Sequence, residues 1–353
     1  MTVARGDRAA LSVRRATGAP AIGALAVLGA LACASAARAT PTHVLRFATV
    51  APDGTAWARL SRTFARDVDE ATNGDVQVKW YFGGIAGNEQ EMIERMRRGQ
   101  LDGVASGGTL CQRLAPTIRA VHIVGLFQSR EEALYVLGRL KPELDREFAR
   151  AGFTNLGEAG FGSDILFSRM PIHSLDELRR ARMWIWNLDE VYKLEMPALG
   201  IQGVPLSLEG ALAAFEAGQI DGFIGIPSAA LVFQWSTRVR YFSDLRVGSV
   251  MGCMIVTNSA FDEMAIDDQQ AVHAAAGQLM RRMEEMGEQQ DAALIGTLFE
   301  KQGMHRVDVP QSLRSEFLDA ARAARHKLGH ELATKKVLDE INEWLADFRS
   351  DHQ

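Results

Sequence analysis

The sequence predicts an α/β protein of two lobes joined by a hinge and braced by one long helix. Three observations predict it. Short runs rich in β-branched and aromatic residues alternate with amphipathic runs of helix length, the rhythm of strand–helix–strand units around a largely parallel sheet. A glycine-rich crossing, Gly157 to Gly162, interrupts that rhythm once, after which it resumes with a second set of elements. Further on, Asp267–Gly303 keeps apolar residues at helical spacing over an unusual length, at Val272, Ala276, Leu279, Met283, Met286, Ala293 and Leu298.

The chain begins with a segment outside that pattern. Arg5, Arg8, Arg14 and Arg15 precede an apolar run from Ala19 to Ala32, and Ala37-Arg38-Ala39 is a small-x-small cleavage site. Residues 1–39 therefore read as a secretory signal peptide cut after Ala39, in preference to a lipid anchor at Cys33. The run is too short for an ordinary membrane span. Those 39 residues hold five Arg and one Asp, so removing their +4 from the full-chain −5 leaves −9. That charge argues against nucleic acid and anionic membranes as partners. Of the three cysteines, Cys111 and Cys253 remain after cleavage; two small buried residues are the preferred reading over a bridge.

His43–Val50 is the first expected strand. Trp57–Ala71 follows as a helix, with Trp57, Leu60, Phe64, Val68 and Ala71 on one face and Asn73-Gly74 as its stop. Val76–Tyr81 is the second strand. Asn88 caps the next helix, whose inner face is Met92, Ile93 and Met96, and Leu101–Ala105 is the third strand. Glu89 reads as a first-turn residue favoured by the helix dipole. Ser106-Gly107-Gly108-Thr109 follows a strand and has N–H groups to offer an anion, although a tight turn into a helix is the preferred reading. Arg130–Ala151 is an amphipathic helix and Phe153–Glu158 a strand leading to the crossing.

The second set has strands near Ile165–Ser168, Arg182–Trp186, Ile201–Val204 and Asp221–Gly225, and helices near Leu188–Leu199 and Ser207–Gly218. Val247–Thr257 reads as a strand returning toward the first set, and helices Ser312–Gly329 and Ala333–Phe348 close the chain. The expected division is lobe I at 40–160 plus 247–285, and lobe II at 161–246 plus 286–353. Two such lobes make a cleft that grips small molecules by closing.

Strand alternation puts Arg182, Trp184 and Trp186 on one face of Arg182–Trp186, and Met183 and Ile185 on the other. Periodicity alone favours a core role for these indoles. His326 and His330 stand four apart on a helix with no third ligand in sight, and read as a solvated face. Ser163 is not in a GxSxG elbow, and no catalytic set can be nominated from spacing.

Four stretches taken in order resemble a known family. GGIAGNEQEMIERMRRGQLDG, SRMPIHSLDELRRARMWIW, ALGIQGVPLSLEGALAAFEAGQIDG and the long helix from Asp267 are similar to segments of the solute-binding proteins of TRAP (tripartite ATP-independent periplasmic) transporters, the DctP-like extracellular solute-binding proteins of family 7. The resemblance implies a periplasmic-binding-protein-like fold and a periplasmic, monomeric protein that captures a small organic ligand and hands it to membrane subunits. It implies no enzyme activity, cofactor or metal. The family's carboxylate-binding Arg falls on Trp184 and a second Arg on Asp164, while the family's Asn near Gly225-Ile226 is missing. The chain thus reads as an atypical subgroup lacking the carboxylate-binding Arg. By this alignment the ligand residues are Trp184, Asp164, Trp186, Trp235 and Gln234, and the ligand is not a simple carboxylate. Trp57 reads first as a helix-packing residue. The alternatives are a periplasmic enzyme on the same fold, or a carrier of a lipid-like ligand without a permease.

Overall fold

In the computed structural model, which describes residues 40–352, the chain opens with β1 (His43–Ala48). The expected signal peptide, its cleavage site and Cys33 lie outside the described residues. β1 pairs in parallel with β2 (Val76–Tyr81), register His43 with Val76, and on its other side with β3 (Gly103–Ser106). The connections are helices, as parallel pairing requires. α1 (Ala56–Ala71) starts where the Thr55 hydroxyl accepts the Ala58 N–H. α2 (Glu89–Arg97) starts in a capping box, with Asn88 accepting from Glu91 N and Glu91 reaching back to Asn88 N. After β3 come α3 (Thr109–Leu114), a 3₁₀ turn (Pro116–His122) and α4 (Arg130–Arg150).

The next strand departs from expectation. The two strands expected on either side of Gly157–Gly162 are one, β4 (Phe153–Ser168). It runs antiparallel to an equally long β8 (Tyr241–Thr257), and the glycines sit at register shifts between Asn155 and Gly157 and between Gly160 and Gly162. Bulges absorb the extra residues and bend the ladder without ending it. Gly162 takes φ +152°, and a Cβ there would lie 2.4 Å from Asp291 Oδ2. Between β4 and β8 lie α5 (Leu175–Arg180), β5 (Arg182–Trp186), α6 (Glu190–Ala198), β6 (Gln202–Leu206), α7 (Gly210–Glu216), β7 (Gly222–Gly225) and α8 (Pro227–Val232). After β8 come α9 (Asn258–Asp262), α10 (Ile266–Ala293), a π turn (Leu294–Leu298), α11 (Phe299–Lys301), β9 (His305–Val307), α12 (Gln311–Leu328) and α13 (Lys335–Asp351).

A single sheet results, in the order β2-β1-β3-β8-β4-β7-β5-β6, with β9 added to β8. Both ends are parallel strands with helices on each face; the two long strands cross from one half to the other. Each half accordingly has two cores. In the first, α2, α3 and α4 cover one face around Met92, Leu110 and Phe148, while α1 and α10 cover the other around Phe47, Phe64 and Leu279. In the second, α5, α6 and α12 pack around Leu178, Met196 and Phe317, while α7, α8 and the π turn pack around Phe215, Phe223 and Leu294.

The long helix is found. α10 lies on the first half, and its continuation carries Leu294 and Phe299 into the second. At Gly287 it presses against β4 so closely that a Cβ would stand 2.4 Å from the Phe161 carbonyl oxygen. The tail differs from the expected division. Val337, Ile341 and Leu345 of α13 join the first half's core, and Arg349 Nε meets Glu132 at 2.6 Å, so the last helix returns across the seam instead of staying with 286–353. Cys111 and Cys253, read from sequence as two small buried residues, form a disulfide that ties α3 to β8. Both are fully enclosed, so each reading of their burial holds while the reading of their chemistry does not.

Candidate functional site

A cavity of about 190 Å³ lies where the two halves face each other. Its position follows from the sheet: β5 and β7 end there from one side, and the turn after β3 from the other, the usual placement of ligands in open α/β sheets. β5 brings two indoles to it. Alternation sends Met183 and Ile185 to the α6 side, and Trp184 to the opposite side against Trp235 (ring centroids 4.7 Å). Trp235 also meets Phe223 (5.3 Å) and Phe233 (5.2 Å, stacked). Trp184 and Trp235 therefore do both things that the sequence left as alternatives: they pack a core and border the cavity. Trp186, one turn of the alternation further out, borders it half-buried. Trp57, read as a helix-packing residue, supplies a fourth indole from α1.

Asp164 stands on the β4 wall, 5% exposed. Tyr192 Oη donates to its Oδ2 at 2.5 Å. Burial drives its carboxyl up to about 7; the Tyr192 hydrogen bond opposes that and the neighbouring Asp189 adds to it. Asp189 caps α6, accepting from Val191 N and Tyr192 N at 2.9 Å each, and it too borders the cavity. Burial raises it to about 6 against the pull of those N–H groups and of the Gln112 side chain. Asp291, just behind, accepts from Ser163 N at 3.1 Å and is raised to about 7, by burial first and by the charge of Asp164 in addition.

Gln234 is the expected residue that the structure removes. It is exposed, in a left-handed turn (φ 60°) between α8 and the 3₁₀ turn Trp235–Thr237, and it does not border the cavity. The turn that swings Trp235 inward swings its neighbour out. His326 and His330 are both exposed, as read.

Two polar residues of the site carried no signal in the sequence. His122, at the end of the 3₁₀ turn, is buried and held neutral: burial lowers its ring to about 4, a hydrogen bond with the Met251 carbonyl opposing, and its Nε2 has no partner. Gln112 of α3 turns its amide toward Asp189 and leaves Oε1 without a partner. Neither belongs to a motif; only the tertiary paths of α3 and of the 3₁₀ turn after it bring them here. The Ser106–Thr109 turn, which had N–H groups to offer an anion, is already served by one. The buried Glu89 carboxylate accepts from Ser106 Oγ (2.8 Å), Leu110 N (2.7 Å) and Thr109 Oγ1. Desolvation raises that carboxyl, and the same hydrogen bonds oppose the rise. An internal carboxylate thus occupies the place a bound anion would take.

A two-lobed α/β protein with a cavity at the crossing of its long strands, walled by aromatic rings, is built for enclosing a small molecule. The chain belongs to the family of bacterial extracellular solute-binding proteins, family 7 (DctP), whose profile matches residues 47–331. It is 22% identical over 256 residues to a solute-binding protein of Chromohalobacter salexigens, covering 72% of this chain and 76% of that one. Its fold matches a TRAP periplasmic solute-binding protein of Xanthobacter autotrophicus with bound β-D-galacturonate, with TM-score 0.77 and 18% identity over 86% of this chain and 99% of that one. It matches equally one of Desulfovibrio desulfuricans with bound sn-glycerol-3-phosphate, with TM-score 0.78 and 18% identity over 85% and 97%. The described residues include no helix long and apolar enough to cross a membrane.

Proposed function

We propose that this protein works as a single chain in the periplasm, closes its two halves around a small organic solute, and delivers it to the membrane subunits of a TRAP transporter. The observation that supports this most is the cavity wall: Trp57, Trp184, Trp186 and Trp235 surround a space bordered, among the described residues, by no Lys or Arg. The related structures hold a uronate and a phosphate ester. Here ring faces do the gripping, through area and dispersion, and no guanidinium meets a solute carboxylate. On this reading the ligand residues are Trp184, Trp186, Trp235, Trp57 and Asp164.

Binding fits the site better than catalysis does. The cavity hydroxyls of Ser61, Ser106 and Thr109 each donate to a protein oxygen, and that of Tyr192 to Asp164, so none is paired with His122 as a nucleophile with its base. The reading is tested by thermal-shift screening against acids, amines, neutral aromatics and lipids, since a ligand of the native state alone raises its melting temperature. A hit is expected to lose about tenfold in affinity in Trp186→Ala with the melting temperature of the free protein nearly unchanged. Unchanged affinity in that variant contradicts the aromatic grip.

A further inference from the structure

Resting on the assignment of this cavity as the solute site, we propose that the solute it selects is a small organic cation: a protonated amine or ammonium group carried on an apolar or aromatic body. Hydrogen-bonding groups around the cavity are unevenly spent. Most donors are satisfied within the protein: Ser61 Oγ donates to the Trp57 carbonyl (3.0 Å), Ser106 Oγ to Glu89 (2.8 Å), Thr109 Oγ1 to Glu89, and Tyr192 Oη to Asp164 (2.5 Å). Among the fully enclosed donors, the indole N–H groups of Trp57 and Trp184 are left without a partner. Enclosed acceptors are left over as well. Gln112 Oε1 and His122 Nε2 have no partner, and the neutral ring of His122 can turn a lone pair toward a donor at Nε2. The carboxylates of Asp164 and Asp189 border the same space.

A solute whose groups match these atoms binds better than one that leaves them without a partner. An anionic solute meets two carboxyl groups and unpartnered acceptors, with indole N–H groups to offset them and no Lys or Arg among the described residues of the wall. At short range in a poorly screened site, the charge those carboxyls carry once ionised repels an anion. An ammonium group brings up to three donors for those acceptors, and its charge sits favourably over indole faces. The same accounting disfavours uncharged aromatic solutes, which fill the space and leave the acceptors bare.

The test is calorimetric titration of the full chain with matched probes: tryptamine, phenethylamine and choline as cations, tryptophol and indole as neutral bodies, indole-3-acetate and D-galacturonate as anions. At least one cation is expected to bind ten times more tightly than its neutral counterpart, with no binding of the anions. Asp164→Asn and Asp189→Asn are expected to remove that advantage, bringing the cation's affinity to within twofold of its neutral counterpart's in the same variant. Tighter binding of a neutral or anionic probe overturns the inference; if Trp186→Ala still weakens that probe, the solute-binding reading survives it. Failure of every cation to bind overturns the inference also. Failure of all probes and of the broader solute screen overturns both.

Discussion

Asp164 is the residue on which chemistry and stability meet. Its carboxyl lies near 3.8 in the open and is raised to about 7 by burial. The folded chain therefore keeps a proton that the unfolded chain gives up, and Asp164 contributes stability below about pH 4 that is lost as pH rises toward 7. Tyr192 and Asp189 face it from the start of α6, and Asp291 from α10. Asp291, and Glu195 (raised to about 8), carry the same sign. Asp164→Asn removes this one contribution, so its stability relative to the parent protein should be higher at pH 8 than at pH 5 in denaturant titrations; an equal difference at both pH values contradicts the burial argument. For a cationic probe the parent's affinity should tighten between pH 6 and 8, because binding favours the ionised carboxylate. Trp184→Ala is a different kind of change. That ring is 7% exposed and packed into a core, so its loss should cost about 3–5 kcal/mol of stability besides any solute. Of these residues, Trp184 and Asp164 were picked out by the family resemblance, and both border the cavity. His122 and Gln112 were not, since a lone His and a lone Gln on short turns look like any others. Gln234 was misplaced because adjacency in sequence says nothing about which side of a left-handed turn faces inward.

Among the elements, α3 and α10 carry the site with the least slack. The Cys111–Cys253 disulfide pins α3, and with it Gln112, to β8. Replacing both cysteines by serine should lower stability by about 2–5 kcal/mol, seen as a drop in melting temperature that reductant reproduces in the parent protein. A melting temperature indifferent to reductant contradicts the bond. α10 touches β4 through Gly287, where backbone meets backbone, so Gly287→Ala should cost about 1–3 kcal/mol even though alanine favours helices. The strands and helices at both ends of the sheet were plain in the sequence, and Arg182–Trp186 and Val76–Tyr81 fall where periodicity put them. The pair of long strands was not. Glycines at 157, 160 and 162 look like a loop when read one residue at a time, yet bulges let the ladder run through them. The short α3 and α8 escaped notice because six residues hold too little periodicity to register.

At the scale of the whole molecule, the two long strands make one continuous sheet of what reads in sequence as two separate lobes. Closure then has to act by bending β4 and β8 near their bulges, while α10 and its π turn, and α13, cross the same seam. The crossing of α13 was not foreseeable, since an amphipathic helix at a chain's end carries no address for the core it covers. The central claim is that solute sits at this seam, gripped by indoles where an arginine would serve a carboxylate. A crystal structure of the protein with the best solute from the screen tests it directly. The account predicts solute density between Trp57 on one half and Trp184, Trp186 and Trp235 on the other, with a nitrogen of the solute toward Asp164. Density elsewhere on the molecule, or a solute carboxylate held by an arginine drawn into the seam, contradicts it.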